Sequence, residues 1–254
     1  MPEKLQLYSM PKRLEVPKFW VEHIPFAFYI VSKLKPGIIV ELGTHTGNSF
    51  FAFCQAVAEN KLATECYAID TWKGDKYTGP FAEEIYENVL EYQQKNYPEM
   101  AKLLRMTFDE GLTYFKNGTI DLLHIDGLHT YEAVKHDFES WLPKLSDKAI
   151  VLFHDTQIKM KDFGIWKFWA EVCKQYPSFE FYHGCGLGVL VVGKNVPTEI
   201  VEFINSANKG NEYRDIFEKQ GRIVYKEYKR RKLKADVFRL LKPHKIVAKR
   251  LKRI

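Results

Sequence analysis

The sequence predicts an α/β fold: a Rossmann-like open sheet, mostly parallel, with a C-terminal antiparallel hairpin and helices on both faces. Three observations predict it. Short apolar segments alternate with stretches of helical composition between residues 37 and 194. Each apolar segment ends in polar residues, and the last two are joined by a glycine-rich turn too short for a crossover. A helical N-terminal segment over 1–36 and a helical C-terminal extension over 195–254, basic from about 222, flank this domain.

Taken in order, Ile38, Ile39, Val40 and Leu42 have the character of a strand buried on both faces, and Thr46 to Glu59 continues as a helix. Between them the chain turns at Gly43, inside the spacing Glu-x-Gly-x-x-x-Gly. A glycine there accepts dihedrals that other residues resist and lets a ligand approach the backbone, and Gly47 lets the helix pack closely on the strand. The pattern alone equally suits an ordinary strand-to-helix loop. A second strand, Glu65 to Asp70, a helix over Phe81 to Tyr97, a short strand at Leu103 to Met106 and a short helix at Asp109 to Lys116 follow. Then come a strong strand, Ile120 to Ile125, a helix over His129 to Leu142, a buried strand, Ala149 to Phe153, and an aromatic helix, Phe163 to Tyr176. Phe179 to His183 and Leu187 to Val192 flank the turn GCG as a hairpin.

The 254 residues are 46% hydrophobic and 15% aromatic, which suits one substantial core and excludes a disordered chain. The N-terminal stretch lacks an apolar h-region, and Trp20 to Leu34 is too polar for a bilayer span, so a soluble, cytoplasmic protein is expected. Cys54, Cys66, Cys173 and Cys185 form no CxxC pair and read as reduced thiols. The net charge of +6 is unevenly distributed. Residues 222–254 hold 14 Lys and Arg against Glu227 and Asp236, a local excess of 12 that leaves the preceding residues at −6. Within this tail Val237, Phe238, Leu240, Leu241, Ile246, Val247, Leu251 and Ile254 recur at roughly helical spacing on either side of Pro243. Two readings stand: a basic amphipathic helix in peripheral contact with the inner face of a membrane, or a solvated helix that packs on the body or on another subunit. Specific nucleic-acid binding is disfavoured, because aromatics are not interleaved for stacking. Self-association is left open.

In an open parallel sheet ligands collect beyond the carboxyl ends of the strands, so Glu41, Asp70, Asp126, His154 and Asp155 should rim one crevice. Asp70 closes the second strand, where an acid accepts from ribose hydroxyls. It falls 29 residues after Glu41 and the first Gly-x-Gly of a dinucleotide fingerprint is missing, so a single nucleoside suits the turn better than a nicotinamide dinucleotide.

The blocks ELGTHTGNSFFAF, AIDTWKGD, IDLLHIDGLHTYEAVKHDFESWLPKL, AIVLFHDT and FYHGCGLGVLVVG, over about residues 17–194, resemble a class I S-adenosylmethionine-dependent methyltransferase of the methyltransferase domain 24 family. The first block is shared by many methyltransferases; HIDGLHTYE followed by FHDT is specific to this family. The resemblance implies S-adenosylmethionine (SAM) as cofactor. It implies that Glu41, Gly43 and Gly47 hold the methionine and sulfonium end, Asp70 the ribose, and Thr71, Trp72 and the Thr107–Asp109 turn, with Phe108 and Asp109, the adenosine; Thr44, Asn48, Ser49 and Asp126 are further cofactor-binding residues. It further implies an O-methyltransferase acting on a saccharide or glycolipid, with phenolic or other small soluble acceptors, or a non-catalytic subunit of a glycan-assembly complex, as alternatives. Related enzymes hold a metal at the ends of the fourth and fifth strands, which makes Asp126, His154 and Asp155 candidate ligands for a divalent ion, magnesium or manganese. The imidazole of His154 departs from the all-oxygen set that magnesium prefers. His129, at the start of a helix where catechol enzymes carry a lysine, is the first choice for general base, and His154 the second. An alternative role for Asp126 is that of an acid that orients the sulfonium or the backbone without any metal. Trp20, His23, Trp166, Trp169 and His183 are further candidates to wall the acceptor site.

Overall fold

The computed structural model describes residues 9–76 and 78–241. Its strands are β1 (Ile38–Leu42), β2 (Glu65–Asp70), β3 (Gly74–Asp75), β4 (Gly79–Pro80), β5 (Ala101–Arg105), β6 (Ile120–Ile125), β7 (Leu145–His154), β8 (Ser178–Phe181) and β9 (Leu187–Val191). The helices are α1 (Ile24–Leu34), α2 (Asn48–Glu59), α3 (Glu83–Asn96), α4 (Phe108–Gly111), α5 (Tyr131–Trp141), α6 (Ile165–Val172), α7 (Thr198–Ala207) and α8 (Glu212–Leu241). Seven strands form one sheet in the order β5-β2-β1-β6-β7-β9-β8, and β3 and β4 pair separately. The first five strands of the large sheet are parallel; β9 runs antiparallel to β7 and to β8. This is the predicted Rossmann-like sheet with its antiparallel C-terminal edge.

Side chains alternate across a strand, and each face of the sheet buries its own cluster. Ile39, Ala68, Leu122 and Leu152 pack with α1, α2, α7 and the first half of α8. Val40, Leu42, Ile69, Leu123 and Phe153 pack with α5 and α6 around Trp141 and Phe168. Burying a side chain of this size stabilises by roughly 1.5–3 kcal/mol, which fixes the register of the central strands and hence the positions of the residues at their carboxyl ends.

Several boundaries differ from the sequence expectation for local reasons. Thr130 caps α5, its hydroxyl accepting from the N–H of Ala133, so His129 lies in the loop before the helix. The strand expected at Ala149–Phe153 extends from Leu145 through an irregular register with β6. The helix expected over Asp109–Lys116 is one turn of α4 continued by a 3-10 turn at Leu112–Tyr114. Gly164 precedes α6, which is shorter than its aromatic segment.

α8 packs against α1 and the 3-10 turn Val21–His23, burying Phe217, Val224 and Tyr228. At Gly221 a Cβ would collide with the carbonyl oxygen of Glu22, so only glycine allows this approach. From Lys232 to Phe238 every residue is exposed. Ile246, Val247, Leu251 and Ile254 lie outside the described residues. Among the described residues no helix is long and apolar enough to cross a membrane.

Candidate active site

A cavity of about 680 Å³ opens at the carboxyl edge of β1, β2, β6 and β7. Its donor side is built on the turn after β1. Gly43 has φ +89°, and a Cβ there would strike the carbonyl oxygen of Asp126, so the turn lies against the end of β6 with no room for a side chain. Asp70 fastens the turn from β2. One carboxylate oxygen accepts from the N–H groups of Thr44 and His45, both at 2.9 Å, and the other accepts from Trp72 N–H at 2.7 Å. Asp70, Thr44, Ser49, Thr71 and Phe108 all line the cavity.

Other donor-side expectations need correction. Glu41 is fully buried and pairs with His124 Nδ1 at 2.9 Å behind the turn, contributing no wall to the cavity. Gly47 likewise contributes no wall; it is the left-handed N-cap of α2. Trp72 is buried, its indole N–H donating to His45 O at 2.9 Å. Asp109 points away and pairs with His136 at 2.8 Å on the surface. Asn48 reaches the cavity, but its amide is engaged elsewhere. Its oxygen accepts from Glu15 N–H at 2.8 Å, and its nitrogen donates to the carbonyls of Glu15 and Pro17, both at 3.0 Å, and of Phe19 at 3.4 Å.

Asn48 thus ties down a strap, residues 10–19, that crosses the start of α2. Arg13 secures the strap further: Nε donates to Thr46 O in the turn at 2.8 Å, Nη2 donates to Asn88 Oδ1 at 2.7 Å, and the guanidinium lies over the rings of Phe51 and Tyr92. Burial pushes the Arg13 pKa below its usual value, and the nearby Glu15 and Tyr92 partly offset this. From outside, Arg231 of α8 donates to Lys12 O at 3.0 Å. The motifs carry no sign of the strap, because most of its hydrogen bonds involve main-chain groups.

The opposite side of the cavity brings Asp126, His129, His154 and Asp155 together. Asp126 follows β6 and His154 ends β7, its paired neighbour. His154 Nε2 donates to Gly184 O at 3.2 Å, which turns Nδ1 toward Asp126 (3.2 Å) and Asp155 (3.4 Å). Burial would lower the His154 pKa, but Asp155 and Asp126 outweigh it and hold the imidazole up at about 9. Burial likewise works against ionised Asp126, yet the charge and hydrogen bond of His154 lower its pKa well below the ordinary value. His129 Nε2 lies 2.9 Å from Asp155, and its ring stacks on Phe163. Burial opposes its protonation, but the hydrogen bond to Asp155 and the charge of Asp126 raise its pKa above 6.5. Ligand atoms of Asp126, His154 and Asp155 all lie within 4.8 Å of one another, and Gly184 fixes the ring so that Nδ1 faces the two carboxylates. These residues fit a divalent ion, and the mixed oxygen and nitrogen set suits manganese better than magnesium.

Among the remaining candidates, Trp20 lines the cavity, whereas His23, His183, Trp166 and Trp169 do not. His23 is buried behind His154, donating to the same Gly184 carbonyl at 3.0 Å. Burial, reinforced by His183 and His154, keeps its pKa well below 6.5. Sequence reasoning missed the stack of His45 on Phe81, with centroids 4.3 Å apart, and the apolar rim of Phe19, Leu128, Ile158 and Met160. Three rim residues are exposed apolar side chains, a signal visible only once the loops are placed.

The sheet order, the reversed last pair and the cavity over the first turn define a class I methyltransferase fold. Residues 40–156 match the family described as a methyltransferase domain, methyltransferase domain 24. An uncharacterized protein of Sinorhizobium fredii, y4gI, is 48% identical over 188 residues, 74% of this chain; the match spans 21% of that longer protein. Among solved structures, the SAH-bound methyltransferase PaMTH1 of Podospora anserina is similar with a TM-score of 0.51 at 14% identity, over 66% of this chain and 77% of its own. The O-methyltransferase TomG of Streptomyces achromogenes, involved in tomaymycin synthesis and solved with SAM, is similar with a TM-score of 0.51 at 15% identity, over 72% and 83%. At these identities the likeness is one of fold.

Proposed function

We propose that this protein transfers a methyl group from SAM to a hydroxyl of a saccharide or glycolipid. The observation that carries this reading is one cavity with a polar floor and an apolar rim. Its floor joins the cofactor turn to two carboxylates and two imidazoles, and its rim exposes Phe19, Leu128 and Met160. Bound SAM supplies an electrophilic methyl group on a sulfonium. The chain's task is to hold an acceptor oxygen in line and to take its proton. His129 is the base. Asp155 orients its ring, and because its pKa is raised, the neutral imidazole that accepts the proton is populated only as the pH rises through that value. His154 Nε2 is committed to Gly184 O, so its Nδ1 serves either as the cationic donor that balances Asp126 and Asp155 or, once deprotonated, as a ligand to a divalent ion, and in neither state does it accept the proton. A divalent ion held by Asp126, His154 and Asp155 would lower the pKa of an acceptor hydroxyl.

An amphiphile fits the contrast between floor and rim: sugar hydroxyls reach the carboxylates while an apolar portion crosses the rim. A phenolic acceptor is the second reading, favoured by the Phe163 ring beside His129. Titration calorimetry with SAM and SAH, followed by labelled-methyl transfer to a panel of nucleotide sugars, lipid-linked glycans and phenols, tests both. Absence of SAM binding overturns methyl transfer, and transfer confined to phenols overturns the glycolipid reading. Full activity in excess chelator removes the metal from the reaction.

A further inference from the structure

The two halves of α8 meet different surroundings. Up to Arg231 one side of the helix is fixed to the body through Phe217, Gly221, Val224 and Tyr228, and Arg231 itself holds the strap at Lys12. Beyond it the helix continues for two more turns exposed on all sides, through Phe238. Along these turns Leu233 is 65% exposed and Val237 45% exposed. They stand four residues apart, one turn above the other, on the side opposite Val224 and Tyr228. Exposed Lys229 and Lys234 flank them. Helical structure thus persists through Lys232–Phe238, where every residue is exposed, and it presents an apolar pair bordered by cations.

We propose that the distal half of α8 docks the protein on an anionic lipid bilayer, lying in the interface with Leu233 and Val237 inserted and the lysines against lipid headgroups. Charge selects this occupant. Residues 229–254 hold 12 Lys and Arg and one acid, Asp236, so a second copy of the same helix meets strong like-charge repulsion. A nucleic acid would satisfy the cations but give the exposed Leu233 and Val237 nothing apolar to contact. An anionic bilayer satisfies both, and a short apolar face with flanking lysines lies on such a surface rather than spanning it. This docking extends the glycolipid reading, because it would bring the cavity to lipid-linked acceptors.

Flotation of the full chain with phosphatidylcholine vesicles, with and without 30 mol% phosphatidylglycerol at about 0.1 M salt, tests the proposal directly. Expected is binding at least about tenfold tighter to the anionic vesicles, weakened by about tenfold or more in Leu233→Glu/Val237→Glu and strongly by 0.5 M salt. Both positions are exposed, and an unchanged melting temperature confirms that the variant is folded. Equal binding to neutral vesicles, or wild-type binding by the double variant, overturns the proposal. So does a salt-sensitive complex with a duplex oligonucleotide in place of vesicle binding, or a dimer without vesicles that the double variant abolishes. No cofactor is needed for flotation, so its failure leaves methyl transfer standing, and failure of SAM binding leaves docking standing.

Discussion

On the donor side of the cavity the shape is set by main-chain geometry: Asp70 accepts three N–H groups, Gly43 lies against the end of β6, and Asn48 and Arg13 tie the strap over α2. On the acceptor side the shape is set by charge: Asp126, Asp155, His129 and His154 hold one another at 2.9–3.4 Å beneath an exposed apolar rim. The donor side resembles a finished mould for one ligand. The acceptor side is a balance of ionised groups that a bound hydroxyl, proton or ion can shift. Substitution should therefore act through fold and cofactor affinity on one side, and through rate and pH dependence on the other.

The largest effect is expected at Asp126. Asp126→Asn leaves His154 with Asp155 as its single carboxylate partner and should lower methyl transfer by about 10²–10³-fold, with SAM affinity reduced much less, measured as label transferred to the acceptor found in the panel. Next, His129→Gln should cost about 10²-fold in kcat and remove the rise of rate with pH that follows deprotonation of the wild-type imidazole. A variant that keeps the rising limb would assign the base elsewhere.

Donor-side changes are expected to read out in stability. Arg13→Gln removes the donor to Thr46 O and the cation over two rings, at a cost of about 2–4 kcal/mol by denaturant titration, and should weaken SAM binding about fivefold through the released turn. Asn48→Ala should cost about 1–3 kcal/mol and change SAM affinity little. A fall in SAM affinity without a shift in melting temperature would instead make Asn48 a cofactor contact.

The smallest expected effect is the dependence of stability on pH, which has opposite signs in the two histidines bound to Gly184. His154 is raised to about 9, so its contribution is complete below the unfolded value of about 6.5 and is lost as the pH climbs toward 9. His23 is held well below 6.5, so the unfolded chain takes the proton first and stability declines as the pH falls below about 6.5. Melting curves of His154→Gln and His23→Gln should each flatten one limb.

The alternation of apolar strands and helices made the sheet legible, because burial on both faces leaves a continuous apolar run at Ile38–Leu42, Ile120–Ile125 and Ala149–Phe153. The clustering of Asp126, His154 and Asp155 was legible for a related reason: strand ends in a parallel sheet share one edge. What stayed hidden depends on contacts between distant segments. Asn48 has the same chemistry whether it faces a cofactor or the carbonyls of Glu15, Pro17 and Phe19. Glu41 opens the glycine motif but falls on the face of β1 that meets His124. Phe81 reaches His45 only because the β3–β4 excursion carries it back over the turn.

The strap joins the two ends of the chain in time as well as in space. The Lys12 carbonyl cannot accept from the guanidinium of Arg231 until that residue, 219 positions later, has been made. At a synthesis rate of 5–20 residues per second that interval is roughly 10–40 s, during which the sheet can form while the strap lacks its outer clamp. The outer clamp of the strap is consequently among the last contacts of the molecule to be completed, although the turn it covers is among the first segments to be made.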